Sequence, residues 1–178
     1  MKLPEKFFVK KDLTQKQVRE LVLYSKNDPE IIRFTSDSER FATSEKVKLW
    51  VNLGRVVYSL TDNKGNLHGI IWFGVKKIPL SRTMGLSTKD YKVTFAIRLY
   101  GEARGRGLAE FFMRKCFQDY LRSRSYKKLG KPKFWLKVSL DNIPAIKTYR
   151  KFGFRKTTKP DKAGKIIMAT QGDFMAVN

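Results

Sequence analysis

Apolar and polar residues follow two periods along this chain, an alternation typical of strands and a three-to-four spacing typical of helices. Runs of β-branched and aromatic residues predict strands at 6–11, 55–61, 67–77, 91–100, 133–140 and 164–170. Helical spacing between polar caps predicts helices at 12–29, 43–54, 108–124 and 142–153. The turn formers Asp62 to Asn66 join the second and third strands as a hairpin.

The order of these elements indicates the fold class. In the second half of the chain, strand and helix alternate, which points to at least one parallel strand pair. The hairpin indicates antiparallel pairing elsewhere. We therefore predict an α/β (α+β) fold with a mixed, mostly antiparallel sheet and helices on both faces. With 178 residues, 42% of them hydrophobic, residues 1–178 are predicted to form a single domain.

Composition excludes several classes of protein. No apolar run approaches the roughly 20 residues that span a bilayer, and the start MKLPEKFFVKK lacks the apolar core of a secretion signal. The single cysteine, Cys116, permits neither an internal disulfide nor a cysteine metal cluster, and we predict no metal. Its apolar neighbours predict a buried small hydrophobe. A cytoplasmic protein without a membrane partner is expected.

The formal net charge is +22 and is unevenly distributed. Residues 1–97 carry 18 basic and 10 acidic side chains, whereas residues 98–165 carry 20 basic and 5 acidic ones. Such a surface attracts polyanions, either nucleic acid or a phosphorylated cofactor. A lysine-rich solvated surface is an equal alternative, since charge does not report on fold. The basic run from Arg122 to Lys133 is predicted to be a solvated connection, with contact to the 3′-phosphate of an adenosine or to an anionic partner as the alternative.

A glycine and arginine loop joins the strand at 91–100 to the next helix. Gly105 and Gly107 lie where alternation gives way to helical spacing. The first amides of a helix lack intrahelical partners and carry partial positive charge, and glycines let a ligand approach the backbone. Arg104 and Arg106 add charge, so the loop suits a diphosphate. It matches neither the P-loop nor the dinucleotide motif, and a plain turn or an RGG-type nucleic-acid contact is the alternative.

A second group of residues follows the strand at 133–140. Asn142 is placed to cap the next helix, and Ala145 and Tyr149 lie on the same helix face as Asn142. The small alanine beside a polar cap and a tyrosine leaves room for a slender ligand. Core packing is the alternative and the more common role for such a stripe.

Together the two segments resemble the GNAT superfamily of acyl-CoA N-acyltransferases. The family motif R/Q-x-x-G-x-G/A is matched from Arg104 to Ala109. The pattern N-x-x-A-x-x-x-Y-x-K-x-G-F is matched by Asn142, Ala145, Tyr149, Lys151, Gly153 and Phe154. The order of elements fits over nearly the whole chain, whereas the specific residues lie within 95–155.

The resemblance implies acetyl-CoA as co-substrate, a GNAT-like strand-loop-helix cradle and a role for each matching residue. Backbone groups at Leu99 and Gly101 would bind the pantetheine arm. The pyrophosphate would be bound by the amides of Arg104, Gly105, Arg106, Gly107, Leu108 and Ala109. Asn142 would contact the cofactor arm and Ala145 would leave space for it. Tyr149 would protonate the departing thiolate, because a phenol with a pKa near 10 is a suitable acid.

The implied reaction is N-acetyl transfer by direct attack of a primary amine, on a small molecule or a protein, in a ternary complex. The strand at 91–100 offers no carboxylate as base, which leaves Asp37, Glu39, Asp141 or a water chain. Two alternatives stay open: acetylation of aminoacyl-tRNA, as by GNAT-type toxins, and a non-catalytic basic protein that binds RNA or ribosomes. The only histidine, His68, is predicted to be structural. The oligomeric state is open, a homodimer included.

Overall fold

A computed structural model describes residues 7–79 and 85–170. The first half contains β1 (Phe8–Lys11), α1 (Gln15–Asn27), α2 (Pro29–Phe34), α3 (Asp37–Arg40), α4 (Ser44–Asn52), β2 (Val56–Thr61) and β3 (Leu67–Val75). The second half contains β4 (Tyr91–Leu99), α5 (Leu108–Arg122), α6 (Arg124–Lys128), β5 (Lys133–Ser139), α7 (Ile143–Lys151), β6 (Phe154–Lys156) and β7 (Lys165–Thr170). A short 3₁₀ helix, Gly101–Ala103, follows β4.

The seven strands form one mostly antiparallel sheet in the order β1-β2-β3-β4-β5-β7-β6. The pair β4 and β5 is parallel, with Tyr91 opposite Lys133 and Thr94 opposite Trp135. The predicted mixed α/β fold is therefore confirmed. Within the described residues, no helix is long and apolar enough to cross a bilayer.

The described residues belong to two compact units. The first unit lies within Met1–Phe73 and Ala96–Arg122, and the second lies within Gly74–Phe95 and Ser123–Asn178. The single domain predicted over 1–178 stays a prediction.

The first unit has helices on both faces of its strands. Successive side chains of a strand point to opposite faces of the sheet. Trp72 and Phe73 on β3 therefore contact different helices. The Trp72 ring lies 5.1 Å from the ring of Trp50 on α4. The Phe73 ring lies 4.9 Å from that of Phe117 on α5 and stacks on Tyr120 at 4.1 Å.

Local capping explains where the helices of the first unit begin and end. Thr14 and Gln17 form a reciprocal capping box at the start of α1. Asp28 ends α1 and also caps α2, since its carboxylate accepts hydrogen bonds from the amides of Glu30 and Ile31 at 3.1 and 3.2 Å. The end of the helix predicted at 12–29 is thus also the start of a second helix that the spacing did not reveal.

The second unit is built around β5 and β7. Its apolar core includes Ile78, Tyr91, Trp135, Ile167 and Ala169. A 3.0 Å hydrogen bond from the Tyr126 hydroxyl to the Pro132 carbonyl, and stacking of Tyr126 on Phe134, fix α6. Most residues of 122–133 are exposed, as predicted for a solvated connection, and the buried ring of Tyr126 holds a helical turn there that the sequence did not reveal.

Two turns of the chain share one design, D-x-x-G-x. In each, one carboxylate oxygen accepts hydrogen bonds from the backbone amides two and four residues later: Asp62 in the β2–β3 turn and Asp161 in the β6–β7 turn. The glycines Gly65 and Gly164 have φ of +76° and +67°, in the left-handed region that glycine adopts without strain. The predicted hairpin turn at 62–66 is confirmed, and its sequence pattern recurs at 161–165.

Candidate functional site

The loop between β4 and α5 has the strand-loop-helix form that the sequence predicts. Gly105 and Gly107 have φ of +72° and +70°, and α5 begins at the buried Leu108. A Cβ atom on Gly105 would meet no atom of the protein within 4 Å, so the backbone borders open space. Because the first amides of a 15-residue helix lie at this point, the loop presents hydrogen-bond donors and partial positive charge outward.

The arginines of this loop are matched by carboxylates. The Arg104 guanidinium donates to the Leu99 carbonyl at 2.8 Å and to Asp28 Oδ2 at 2.7 Å. Glu30 Oε2 lies 3.4 Å from Arg104 Nε. The Arg104 side chain therefore joins the end of β4 to the junction of α1 and α2.

Arg106 differs from Arg104 in exposure. Its side chain is 47% exposed, and its Nη2 lies 3.7 Å from Glu102 Oε2. Carboxylates therefore offset the charge of both arginines. The groups of this loop that attract an anion most strongly are thus the backbone amides at the helix N-terminus. Gly101, with φ of +47°, opens the 3₁₀ turn that carries Glu102.

A buried carboxylate on α3 is bound by two more arginines of the first unit. Asp37, 1% exposed, lies 2.6 Å from Arg98 Nε and 2.5 Å from Arg40 Nη1. The Arg98 guanidinium also lies over the Trp72 ring, 4.9 Å from its centre. Asp37 is therefore held as an ion-pair partner for β4, which argues against its role as a general base.

The other base candidates differ from Asp37 in their surroundings. Glu39 on α3 and Asp141 after β5 are both exposed to solvent. No assignment of the base follows from these positions.

Tyr100, directly after β4, is buried and its ring stacks on Tyr24 at 4.3 Å. Its hydroxyl has no hydrogen-bond partner within the described part of the chain. Burial, and then the nearby Asp37 carboxylate, raises the pKa of Tyr100 well above its ordinary value. The phenol is therefore a neutral core group.

The predicted residues of the second unit lie on α7. Asn142 is the N-cap, and its Oδ1 accepts a hydrogen bond from the Ala145 amide at 3.2 Å. Tyr149 is 5% exposed, and its ring contacts Phe95 edge-on with the centres 5.7 Å apart. Phe154 borders the same ring at 6.2 Å. Core packing thus accounts for the Tyr149 ring, and the predicted role of its hydroxyl stays a prediction.

His68 and Cys116, for which the sequence predicts structural roles, both lie in the first unit. His68 Nε2 is 3.2 Å from Asp62 Oδ2, within the hairpin turn. Although burial raises the pKa of Asp62, hydrogen bonds from Asn66 and His68 hold it well below its usual range. Cys116 is buried, and burial together with Asp119 raises the pKa of its thiol well above normal. The prediction of a buried cysteine is confirmed.

Sequence analysis misses the carboxylates that bind the arginines of this region. Asp28 and Arg104 are 76 residues apart, and Asp37 and Arg98 are 61 apart. The Asp28-Pro29-Glu30 sequence is a recognisable helix start, yet no local pattern reveals such distant partners. Only the fold brings them together.

Comparison with known proteins identifies the family. A model described as the acetyltransferase (GNAT) family matches residues 53–154, which include the loop between β4 and α5 and all of α7. A search of curated proteins gives no match.

Solved structures share the fold at low sequence identity. Spermidine N-acetyltransferase from Vibrio cholerae, in complex with CoA and spermine, is 15% identical with a TM-score of 0.62, over 92% of this chain and 93% of that one. A Salmonella typhimurium protein solved with its cofactor acetyl-CoA is 16% identical with a TM-score of 0.68, over 96% of both chains. An N-acetyltransferase from Staphylococcus aureus Mu50 is 16% identical with a TM-score of 0.65, over 92% and 98%.

The matched segment, 53–154, covers more than half of the 178 residues and contains both motifs. The chain therefore belongs to the acetyltransferase (GNAT) family and is an acyl-CoA-dependent N-acetyltransferase.

Proposed function

We propose that this protein transfers an acetyl group from acetyl-CoA to a primary amine and that the β4–α5 loop binds the pyrophosphate. The observation that supports this proposal is the left-handed backbone conformation of Gly105 and Gly107, directly before α5. Because nothing of the protein fills the space beside Gly105, a phosphate can approach the amides from Arg104 to Ala109. The residues present therefore fit the donor.

The pantetheine arm is the second part of the donor that the proposal assigns. Backbone groups at Leu99 and Gly101 bind the pantetheine arm. The Leu99 carbonyl, which already accepts from Arg104, has a second lone pair for this purpose. Asn142 contacts the arm, and the small side chain of Ala145 leaves space for it.

Tyr149 is the proposed general acid. Acetyl-CoA supplies an activated acetyl group whose carbonyl an amine can attack. A phenol is protonated at neutral pH, which is the form that can give its proton to the departing thiolate. Packing against Phe95 and Phe154 limits the rotation of the ring and so holds the hydroxyl in one place.

The acceptor is proposed to be an amine of a small molecule or a protein. The Vibrio cholerae structure, which contains spermine, supports the amine class in general. Since Asp37 lies between two guanidinium groups, the proton of the amine would leave through water, Glu39 or Asp141. A single domain and a cytoplasmic location belong to the same proposal, and the oligomeric state, a homodimer included, stays open.

A second acceptor class, the amino acid on a charged tRNA, is favoured by the basic second unit. That unit carries 18 Lys and Arg side chains against 3 Asp and Glu within its described residues. Membership of the family favours an enzyme over the non-catalytic RNA- or ribosome-binding alternative.

Thiol release from acetyl-CoA, measured across polyamines, peptides and aminoacyl-tRNA, tests the proposed reaction and identifies the acceptor class. With the best acceptor, Tyr149→Phe is expected to lower kcat by roughly 10²–10⁴ with little change in KM. Tyr126→Phe, which removes another buried hydroxyl of the second unit, is the control and should keep the wild-type kcat. No release with any amine would contradict the reaction, and an unchanged kcat in Tyr149→Phe would remove the proposed acid.

A further inference from the structure

The positive charge of the chain is concentrated in the second unit. Of the described residues, 65 belong to this unit and carry 18 basic and 3 acidic side chains. The 94 described residues of the first unit carry 17 basic and 11 acidic ones. The net formal charge is therefore +6 in the described part of the first unit and +15 in the smaller described part of the second.

Four cations of the second unit lie together on α7 and at its end. Lys147, Arg150 and Lys151 are exposed and lie at i, i+3 and i+4, which places them side by side on one helix face. Arg155 donates to the Arg150 carbonyl at 3.0 Å, so a fourth guanidinium lies at the C-terminal end of the helix. We call these four residues the α7 cation strip.

The cation strip has no neutralising partner in the part of the chain that the structure describes. The ion pairs of that part reach Lys137 in the second unit but none of the four strip residues. From 142 to 160 the sequence has six basic residues and no acidic one. Like charges at i and i+4 repel and so oppose the helix. Folding therefore gains little from Lys147, although Arg150 and Lys151 in the last turn suit the helix dipole.

The opposite face of α7 is occupied. Ile146 and Tyr149 are buried, and Tyr149 packs against Phe95 and Phe154. The strip is thus a row of exposed cations on one helix face, with one exposed apolar side chain, Ile143, one turn before Lys147. A single apolar side chain gives little surface to insert into a bilayer. A stiff chain with regularly repeated charges, as in nucleic acid, complements such a row better than a lipid surface or a flexible acidic peptide does.

We propose that the α7 cation strip binds the phosphodiester backbone of a nucleic acid. Binding of this kind is independent of base sequence, because phosphate contacts position a protein without specifying bases. None of the four strip residues is among the groups proposed to bind acetyl-CoA, and the proposal does not depend on acetyl transfer.

Fluorescence anisotropy with labelled tRNA and with a labelled duplex DNA, titrated at several salt concentrations, tests this surface. The wild-type chain is expected to bind with a Kd of about 10⁻⁴–10⁻⁶ M, weakening steeply as salt rises. The triple variant Lys147→Gln, Arg150→Gln, Lys151→Gln should bind at least about tenfold more weakly, and its salt slope should fall by about 2–3. The two nucleic acids distinguish RNA from DNA as the source of the backbone.

A matched control removes the same charge from the first unit. Arg19→Gln, Lys26→Gln and Lys115→Gln, at exposed helical positions, should change the Kd less than about twofold. Thermal melting and calorimetric binding of acetyl-CoA check that both triple variants are folded, and Lys147→Gln alone should lower the slope by about 1.

Three results would overturn the proposal. The first is that the wild-type chain binds neither nucleic acid. The second is that the control triple variant loses as much affinity as the strip variant. The third is that phosphatidylserine vesicles or polyglutamate bind as tightly as tRNA, which would show that the surface binds anions of any kind.

Discussion

The two units of this molecule use arginine and lysine in different ways. In the first unit, Arg98 and Arg104 bind the carboxylates Asp37 and Asp28, whose side chains are 1% and 8% exposed. In the second unit, the cations of α7 point to solvent. Buried pairs of the first kind are costly to break from one side, whereas exposed charges add little to stability. Charge therefore has a structural role in the first unit and is a surface property in the second.

Loss of a buried carboxylate in the first unit should have the largest effect on stability. Asp37→Asn leaves Arg98 and Arg40 without their anion, and we expect the free energy of unfolding to fall by about 3–5 kcal/mol. Glu39→Gln, on the same helix but exposed, should change it little. Urea unfolding measures both variants. If both variants change the free energy of unfolding by the same small amount, the ion pair between Asp37 and Arg98 does not hold β4 to α3.

Replacement of Arg104 should have an intermediate effect. Arg104→Gln removes charged hydrogen bonds to Leu99 and Asp28, and we expect a loss of about 1–3 kcal/mol in urea unfolding. Arg106→Gln, which breaks only a partly exposed 3.7 Å contact with Glu102, is the control and should be close to wild type. A larger loss in Arg106→Gln than in Arg104→Gln would reverse this assignment.

Neutralisation of the cation strip in the second unit should leave stability nearly unchanged. The triple variant of Lys147, Arg150 and Lys151 to Gln is expected to stay within about 0.5 kcal/mol of wild type, because relief of repulsion offsets the lost dipole interactions. The same unfolding experiment measures it. A clear loss of stability would mean that these cations have a structural role after all.

The smallest expected effect is on the pH dependence of stability, through Asp62 in the first of the two D-x-x-G-x turns. Hydrogen bonds lower the pKa of Asp62 in the folded chain, despite its burial. Its ionised form therefore stabilises the fold above the unfolded pKa of about 4, and this stabilisation is lost as pH falls toward the folded pKa. Asp62→Asn should flatten the decline in thermal stability below pH 4, whereas Asp141→Asn, at an exposed site, should follow the wild-type decline. Identical profiles for all three proteins would contradict the role of Asp62.

The parts of the fold that depend on neighbours in sequence could be predicted. The alternation of apolar and polar residues predicts every strand except the three-residue β6, and the turn formers Asp62 to Asn66 predict the hairpin turn. The glycines of the β4–α5 loop are equally local, because a positive φ is a property of one residue. The short helices α2, α3 and α6 were missed, because four to six residues give too few turns for helical spacing to show.

The parts that depend on distant residues could not be predicted. Arg104 suggests a cation for phosphate when only its sequence neighbours are known, yet its guanidinium faces Asp28 and Glu30 in the fold. Likewise, Asp37 suggests a free carboxylate until Arg98 and Arg40 are placed beside it. Ion pairing across the fold thus changes the chemistry that a residue type alone suggests.

Calorimetric titration of acetyl-CoA tests most directly whether the β4–α5 loop binds the donor. Gly105→Glu and its control Gly54→Glu place the same side chain at glycines with similar φ, +72° and +80°, each with no protein atom within 4 Å of an added Cβ. Both variants bear the same backbone strain, so only contact with the ligand differs. Wild type and Gly54→Glu are predicted to bind acetyl-CoA with equal affinity, and Gly105→Glu to give no measurable binding. Wild-type affinity in Gly105→Glu would contradict the assignment of this loop.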